Sequence, residues 1–516
     1  MNAMHIFLLI FCSFQILNCR EHQTFFRCGV DDKKIVPLPA KHTIGKKENS
    51  NRRLDNEKFG DFHIYLDLIN IINDIEKNNL TQYKELFINS LNKAVNTLEN
   101  LLKVKKLDFG FLFSDEDIEN ILINDWNKTM IGTNAINDSK SLGIDLFIFG
   151  RFDEEMDNSV LASAGPRYIV SGTGQPIVGV VNINPNVNYS KINSQEYFQS
   201  IILHEFTHIL GFLSGHFEKY LNSLIIRKDE NNITRYYINS PRVLAVAKKY
   251  YNCSDIDGVE LEESGGSGTA GSHWEARILL GEYMNGVIHP EEQVISEFTL
   301  ALLEDTGYYK ANYYTGGLMR YGKGKGCDFI KKRCINSTHQ INPNFENEFY
   351  DSISSPYGIE ASCSSGRQSR TYNAWWLYNY IPEYYRYFND IQIGGFSPAD
   401  FCPVAREYYE ESINSYYTGH CSTKGNGGYG TKILYPIIEQ IRINETHTMS
   451  KQSLYYFPSE TLYSITGETY SDHSFCYQST LIKNDLDPSS ILTKVRAICY
   501  ESFCSSKSLI IKINDD

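Results

Sequence analysis

The sequence predicts an α+β fold in which strands and helices alternate along the first half of the chain. In 62–68 apolar residues at every second position are typical of a half-buried strand, and the short apolar runs 145–149 and 176–186 predict further strands. Apolar residues at helical spacing predict an amphipathic helix over 87–102. A second helix is expected from about 194 to 211, after the strands, which completes an α+β subdomain.

Length and composition indicate a folded protein of about three units. The chain has 516 residues, and a prior of about 150 residues per domain suggests three or so units. We expect them at 59–211, 212–310 and 311–516. The 36 Tyr and 28 Phe residues supply material for large buried cores. A net charge of −13 argues against a nucleic-acid partner, because no basic surface would neutralise the phosphates.

The two ends of the chain predict export without a membrane span. The apolar stretch 6–17 suits the hydrophobic region of a signal peptide and is too short to cross a bilayer, so we expect a signal peptide over 1–19. The polar segment 20–58 is expected to be a processing segment. No later stretch approaches about 18 apolar residues, and the terminal SLIIKINDD lacks a lipid-anchor tail. We expect a secreted, extracellular or lumenal protein, with association at a membrane surface left open.

Cysteine usage predicts disulfide bonds formed in an oxidising compartment. Eight of the twelve cysteines follow residue 326, and their spacing lacks the paired C-x-x-C motifs of a zinc site. They are Cys327, Cys334, Cys363, Cys402, Cys421, Cys476, Cys499 and Cys504. We therefore expect a Cys-rich, disulfide-bonded C-terminal domain over 311–516, whose pairings the sequence does not reveal.

The second predicted helix carries the stretch HEFTHILGF, which places His204 and His208 four residues apart. Positions four apart lie on one helix face, so both imidazoles can reach one metal ion. Glu205 is placed beside the first histidine to take a proton from a zinc-activated water, the division of roles in zinc peptidases. Gly211 favours a left-handed end to the helix. The motif predicts a catalytic zinc site with Glu205 as general base.

The third protein ligand that a catalytic zinc site requires is not set by this motif. The extended signature would place it at position 214, where the chain has Ser214. A glutamate ligand would be supplied by Glu230, but this residue lies in a solvated polar run. His289 precedes a proline in an expected exposed turn. His216 is close in sequence but out of register, so we interpret it as a surface histidine.

His273 is the favoured third ligand among these alternatives. It follows a flexible Gly- and Ser-rich loop, and Met284 comes eleven residues later among turn-forming residues. A methionine in a tight turn beneath three histidines is typical of the metzincins.

Three stretches carry a resemblance to a known family: 161–185, HEFTHILGF, and 240–286. From about residue 60, and most specifically around 200–305, the chain resembles the leishmanolysin family of zinc metallopeptidases in the metzincin clan. The resemblance implies a metzincin-type zincin catalytic core, a twisted mixed sheet plus the active-site helix, divided into an N-terminal catalytic subdomain and a central subdomain. It also implies one Zn²⁺ per chain. In the family a long insertion separates the second histidine from the third.

The resemblance assigns roles to single residues. His204, His208 and His273 correspond to the zinc ligands, and Met284 corresponds to the Met-turn residue. The resemblance also implies that a prosegment cysteine fills the open zinc position of the precursor, and FFRCGVDD offers Cys28 for this switch. The match departs from the family at Val30, where a histidine is usual.

These observations predict a secreted zinc endopeptidase that acts on extended protein or peptide substrates. The competing class is a non-catalytic adhesin or binding protein on the same scaffold, and a third is an exopeptidase with an acidic third ligand. The intact histidines and Glu205 favour the first. We expect the substrate to lie antiparallel to an edge strand in 176–186, at Gly179, Val180 and Val181. The unbroken apolar run there also suits a buried core strand.

Overall fold

The structure is a computed structural model that describes the chain in stretches. The described residues are 27–30, 36–38, 59–107, 143–192, 195–229, 231–264, 269–287, 293–313, 319–345, 348–349, 361–373, 376–406, 408–410, 415–417, 421, 435–444, 447–455, 469, 471, 473–478, 497–504 and 509–512. The expected signal peptide over 1–19 lies outside them. For 27–30 and 36–38 only the backbone is described.

The helices of the described residues are numbered in chain order. They are α1 (Ile69–Asp74), α2 (Lys84–Leu101), α3 (Gln195–Ile209), α4 (Ser214–His216), α5 (Pro241–Tyr251), α6 (Ala276–Leu279), α7 (Glu297–Asp305) and α8 (Cys327–Lys331). A π-helical turn, Phe217–Leu221, continues α4. Single 3₁₀ turns lie at Thr81–Tyr83, Tyr189–Lys191, Pro343–Phe345, Glu383–Tyr385 and Ser397–Ala399. Helices α2 and α3 are the two helices expected from the sequence.

The strands are numbered in the same way. Those up to residue 311 are β1 (Arg27–Val30), β2 (Val36–Leu38), β3 (Phe59–Asp61), β4 (Ile64–Asp67), β5 (Leu102–Lys105), β6 (Leu146–Phe152), β7 (Val160–Val170), β8 (Pro176–Ile183), β9 (Leu224–Lys228), β10 (Thr234–Ile238), β11 (Val259–Leu261) and β12 (Tyr309–Ala311). Those beyond it are β13 (Ala361–Cys363), β14 (Arg370–Asn373), β15 (Trp376–Leu377), β16 (Ile393–Gly394), β17 (Ala405–Arg406), β18 (Tyr408–Glu410), β19 (Ser415–Tyr417), β20 (Tyr435–Asn444), β21 (His447–Tyr455), β22 (Ser474–Gln478), β23 (Ala497–Cys504) and β24 (Leu509–Lys512).

The main sheet is mixed and has the order β1-β7-β8-β6-β4, with β2 also paired to β7. Strands β4, β6 and β8 run parallel to one another, whereas β7 runs antiparallel to β8. Side chains of β6 alternate between two apolar clusters. Leu146 and Ile148 face the cluster that includes α2 and α3, and Phe147 and Phe149 face the other side. Because both faces are covered, the central strands are apolar along their whole length. The α+β class is confirmed.

Strand β8 is not at the edge of the sheet, so the substrate strand predicted at Gly179, Val180 and Val181 is wrong. Gly179 is opposite Ile148 of β6 on one side and opposite Pro166 of β7 on the other. A Cβ at Gly179 would lie 2.2 Å from Cγ2 of Ile209, in the last turn of α3. The glycine therefore allows the helix to pack closely on the sheet, and the unbroken apolar run belongs to a buried strand.

Smaller sheets complete the described structure. Strands β9, β10 and β11 form an antiparallel sheet, and β3, β5 and β12 form another beside the main sheet. The later strands form two- and three-stranded sheets, of which β22-β23-β24 lies near the C-terminus. One continuous apolar cluster runs from Phe62 to Val404, so residues beyond 311 share a core with those before it. The boundary expected at 311 stays a prediction.

Four disulfide bonds join cysteines among the described residues, as the cysteine usage predicts. They join Cys253 to Cys327, Cys334 to Cys402, Cys363 to Cys476, and Cys421 to Cys499. The first of these ties the end of α5 to the start of α8, and so links the central part of the chain to the Cys-rich part. The side chain of Cys504 lies outside the described residues.

Candidate metal centre

Helix α3 brings the first two histidines to one point. The helix buries Phe198, Ile202 and Phe206 in the main apolar cluster, and His204 and His208 lie fully buried on its active face. The helix ends as the sequence predicts, because Gly211 has a φ of 109° that few other residues adopt.

A third imidazole completes a compact triangle. The Nε2 atom of His273 lies 3.2 Å from those of both His204 and His208, which are themselves 3.1 Å apart. His273 is separated from His208 by 65 residues and is fully buried. It stands between β11 and α6, beside the backbone of Glu262, whose N–H donates to the His273 carbonyl at 2.9 Å.

The other ring nitrogen of each histidine faces a backbone carbonyl. Nδ1 of His204 lies 2.5 Å from the Tyr283 oxygen, Nδ1 of His208 lies 2.6 Å from the Phe212 oxygen, and Nδ1 of His273 lies 2.9 Å from the Thr269 oxygen. A carbonyl only accepts, so each Nδ1 carries the proton and donates it. The Nε2 lone pairs are thereby left to point at one another, the arrangement that holds a metal.

Burial keeps the three rings neutral. Loss of solvation, with a smaller contribution from His273, lowers the pKa of His204 to about 3. Loss of solvation lowers the pKa of His273 to about 4 and the pKa of His208 well below its ordinary value. Neutral imidazole is the form that binds a metal.

The triangle fits a zinc ion. Zinc binds imidazole nitrogen at about 2.0–2.1 Å. Three imidazole nitrogens 3.1–3.2 Å apart are close enough to bind one such ion together. Three histidine ligands would leave a fourth position open for water or substrate. The donor set, three neutral nitrogens without sulfur, is that of a catalytic site rather than a structural one.

The chain is also similar to proteins of a known peptidase family. The peptidase family model for leishmanolysin matches residues 138–515. The chain belongs to the leishmanolysin family.

Curated members of the leishmanolysin family match about half of the chain. A leishmanolysin homolog of Crithidia fasciculata is 34% identical over 249 residues, covering 47% of this chain and 36% of that protein. A leishmanolysin-like peptidase of Drosophila melanogaster is 30% identical over 304 residues, covering 48% of this chain and 44% of that protein. Leishmanolysin of Leishmania major is 31% identical over 245 residues, covering 46% and 38%. The matches therefore span less than half the length of each relative.

The turn expected from the leishmanolysin resemblance lies directly against the histidines. Met284 is fully buried, and its carbonyl accepts a 2.9 Å hydrogen bond from the backbone N–H of Trp274, the residue after His273. The preceding carbonyl, of Tyr283, is the partner of His204. One turn therefore positions two of the three imidazoles through its backbone.

Glu282 holds this turn in place, a role that the sequence did not suggest. Its buried carboxylate accepts hydrogen bonds from the Met284 N–H at 2.5 Å, from Ser296 Oγ at 2.8 Å and from Thr299 Oγ1 at 2.6 Å. Thr299 Oγ1 in turn accepts from the indole N–H of Trp274 at 2.9 Å. Burial raises the pKa of Glu282 to about 7. The glutamate thus joins both arms of the turn to α7.

Among the described residues, the other sequence candidates for the third ligand lie outside the triangle. His216 is 2% exposed, so its interpretation as a surface histidine is wrong. Its ring packs against Tyr220 and Tyr308, with centroids 4.9 and 5.7 Å away. It is buried because the turn after Gly211 folds back on the helix end. Glu230 and His289 lie outside the described residues.

Cys28 and Glu205 complete the predicted site residues. Glu205 is fully buried on α3, next to His204. Cys28 lies in β1, which runs parallel to β7 and approaches α3. The pairing register shifts between Arg27 and Gly29, which are opposite Val160 and Ser163 of β7. The Cys28 side chain is outside the described residues.

Within the residues described, no helix has both the length and the apolar character needed to cross a membrane.

Proposed function

We propose that the protein is a secreted, zinc-dependent endopeptidase. The observation that carries the proposal is the triangle of neutral Nε2 atoms from His204, His208 and His273. The family membership supports it, because the relatives are named as peptidases. The disulfide bonds are consistent with an extracellular or lumenal location.

Zinc bound to the three histidines would lower the pKa of a water molecule and polarise the scissile carbonyl. The other tasks belong to side chains of the chain. Glu205, adjacent to His204, accepts the proton from the attacking water and passes it to the leaving amine. Burial of this carboxylate strengthens its electrostatic interaction with nearby charges. The carbonyls of Tyr283, Phe212 and Thr269 hold the rings in the binding tautomer.

The sheet topology supports β7 as the strand that aligns the substrate. Its inner side pairs with β8, and its outer side pairs with β1 and β2. Both of these belong to the segment 20–58 that is expected to be removed. Processing would free the outer side of β7, and an extended peptide would add there through main-chain hydrogen bonds. Strand β7 contacts α3, which carries His204 and His208.

The same topology supports Cys28 as a switch. Strand β1, which contains Cys28, pairs with the outer side of β7 and contacts α3. A thiolate is a strong zinc ligand, so Cys28 at the open position would exclude the attacking water. Parallel pairing of β1 and β2 with β7 would hold the segment in place until it is cut.

The test is a peptidase assay on the processed protein with an unfolded protein as substrate. We expect turnover that a zinc chelator abolishes and added zinc restores. Glu205→Gln should bind zinc normally and lose at least about 100-fold in kcat, because the amide cannot accept a proton. Glu218→Gln, an exposed glutamate beyond the helix, is the matched control. Zinc binding without turnover in the unaltered protein would instead identify a non-catalytic binding protein.

A further inference from the structure

A second group of acidic side chains lies outside the histidine triangle. Glu262 and Glu263 follow β11, and Glu275 stands at the start of α6, where one oxygen accepts from the Arg277 N–H at 2.8 Å. One oxygen from each glutamate lies within 4.8 Å of the other two. Glu262 and Glu275 are buried, and the Glu263 side chain is 11% exposed.

The charges around this group do not balance among the described residues. Arg235 lies 3.0 Å from Glu263 and also contacts Asp400, while Arg277 contacts Glu260 and Asp400. Five carboxylates thus face two guanidinium groups. The five are Glu260, Glu262, Glu263, Glu275 and Asp400. Burial, followed by repulsion from Asp400, raises the pKa of Glu263 to about 8. The group therefore requires protons or a further cation at neutral pH.

The surroundings of Glu275 favour a bound cation over added protons. Its carboxylate is fully buried, and Oε2 has no hydrogen-bond donor among the residues that the structure describes. A buried carboxylate oxygen without a donor is strongly unfavourable. The same side chain offers one oxygen within 4.8 Å of oxygens of Glu262 and Glu263, which is close enough for one cation to bind all three.

We propose that Glu262, Glu263 and Glu275 bind one calcium ion, separate from the histidine centre. Calcium takes oxygen ligands at 2.3–2.6 Å, so two ligands of one ion stand at most about 5 Å apart, which the 4.8 Å span satisfies. Zinc prefers nitrogen and sulfur donors, and magnesium requires a tighter octahedron.

The ion would stabilise the segment that carries the third histidine. The Glu262 N–H donates to the His273 carbonyl at 2.9 Å, and the Glu262 carbonyl accepts from Gly271 at 2.7 Å. Glu275 follows His273 by two residues. A cation between Glu262 and Glu275 therefore clamps the two backbone stretches on either side of His273, without contacting the ring.

The experiment is equilibrium dialysis of the zinc-loaded full chain against radioactive calcium, after removal of other divalent ions. We expect one calcium per chain beyond the zinc, and a thermal unfolding midpoint that rises by several degrees with calcium. Glu263→Gln should weaken calcium binding at least about tenfold while zinc content is unchanged. Glu348→Gln removes a buried carboxylate elsewhere and should leave calcium binding unchanged.

Absence of stoichiometric calcium binding to the unaltered protein overturns the proposal, whatever the variants do. Equal loss in Glu348→Gln and Glu263→Gln also overturns it, because both would then act through stability. Should Glu263→Gln fail to fold, Glu263→Asp keeps the charge and withdraws the oxygen by one methylene, and unchanged calcium affinity in it argues against the site. Zinc content, measured in the same samples, separates this outcome from any failure of the histidine centre.

Discussion

Adding one methyl group at Gly179 should disturb the histidine triangle from behind. The new Cβ would lie 2.2 Å from Cγ2 and 2.9 Å from Cδ1 of Ile209, where ordinary contacts are 3.4–4 Å. Ile209 is fully buried and follows His208 directly, so its side chain has little room to turn away. The strand is held on both sides by β6 and β7, so the last turn of α3 is the part that moves.

The size of the effect follows from this overlap of more than 1 Å. Overpacking a buried site costs about 1–3 kcal/mol, which we expect as a loss in the free energy of unfolding measured with urea. If about half of the strain is relieved by displacing His208, zinc affinity falls by about 2- to 12-fold, since each factor of ten corresponds to 1.4 kcal/mol. Competition with a chromophoric chelator measures that affinity. Gly215→Ala is the control, because a Cβ there meets nothing within 4 Å.

A rescue variant decides whether the contact is the cause. Ile209→Ala removes the atoms that the new methyl group meets, and on its own should cost about 2–5 kcal/mol through the cavity it leaves. In Gly179→Ala/Ile209→Ala the methyl group occupies part of that cavity, so the double variant should be less destabilised than the sum of the two. Strict additivity, together with normal zinc affinity in Gly179→Ala, would refute the reasoning.

Four further predictions concern the metal, the precursor, acid and the disulfides. His273→Ala should lose zinc while the fold persists; full zinc occupancy by elemental analysis would remove His273 from the site. Cys28→Ser should give a precursor that is active before cleavage, whereas a fully latent variant would end the switch hypothesis. Burial lowers the pKa of His216 from 6.5 to about 4. Below pH 6.5 the unfolded chain therefore binds one proton more than the folded chain. Lowering the pH to 5 should reduce the free energy of unfolding by about 2 kcal/mol, and His216→Phe should lose this part of the acid sensitivity in urea titrations. Replacing Cys253 and Cys327 by alanine opens a loop of 74 residues and should lower the free energy of unfolding by about 4 kcal/mol, and an unchanged urea midpoint would contradict this.

Local spacing accounts for what the sequence could predict of the candidate centre. His204, His208 and Gly211 lie on one helix, where a fixed geometry converts spacing into position. His273 lies 65 residues from His208, and spacing alone left several alternatives to it. The Met284 turn favoured His273 among them, and the resemblance then selected it. That the three hold zinc stays a prediction.

Features that depend on packing between distant segments were missed or misjudged. An apolar run predicts that a strand is buried but not which strands flank it, so the prediction of an edge strand at β8 did not foresee its place between β6 and β7. His216 is out of register for a zinc ligand, and its spacing gives no sign that the turn after Gly211 buries it. Glu282 gave no signal, because its partners Ser296 and Thr299 come from another helix.

The ion pair between Arg277 and Asp400 has a consequence for the synthesis of the chain. Arg277, two residues from Glu275, is buried against Asp400, and the apolar cluster that includes Trp274 continues to Val404. At ordinary translation rates the ribosome takes on the order of ten seconds to add the intervening residues. During that interval the His273 segment has emerged without the residues that bury it. We therefore expect the histidine triangle to assemble only after the chain is complete to at least residue 404, and truncation before residue 400 would leave the Arg277 side chain without Asp400.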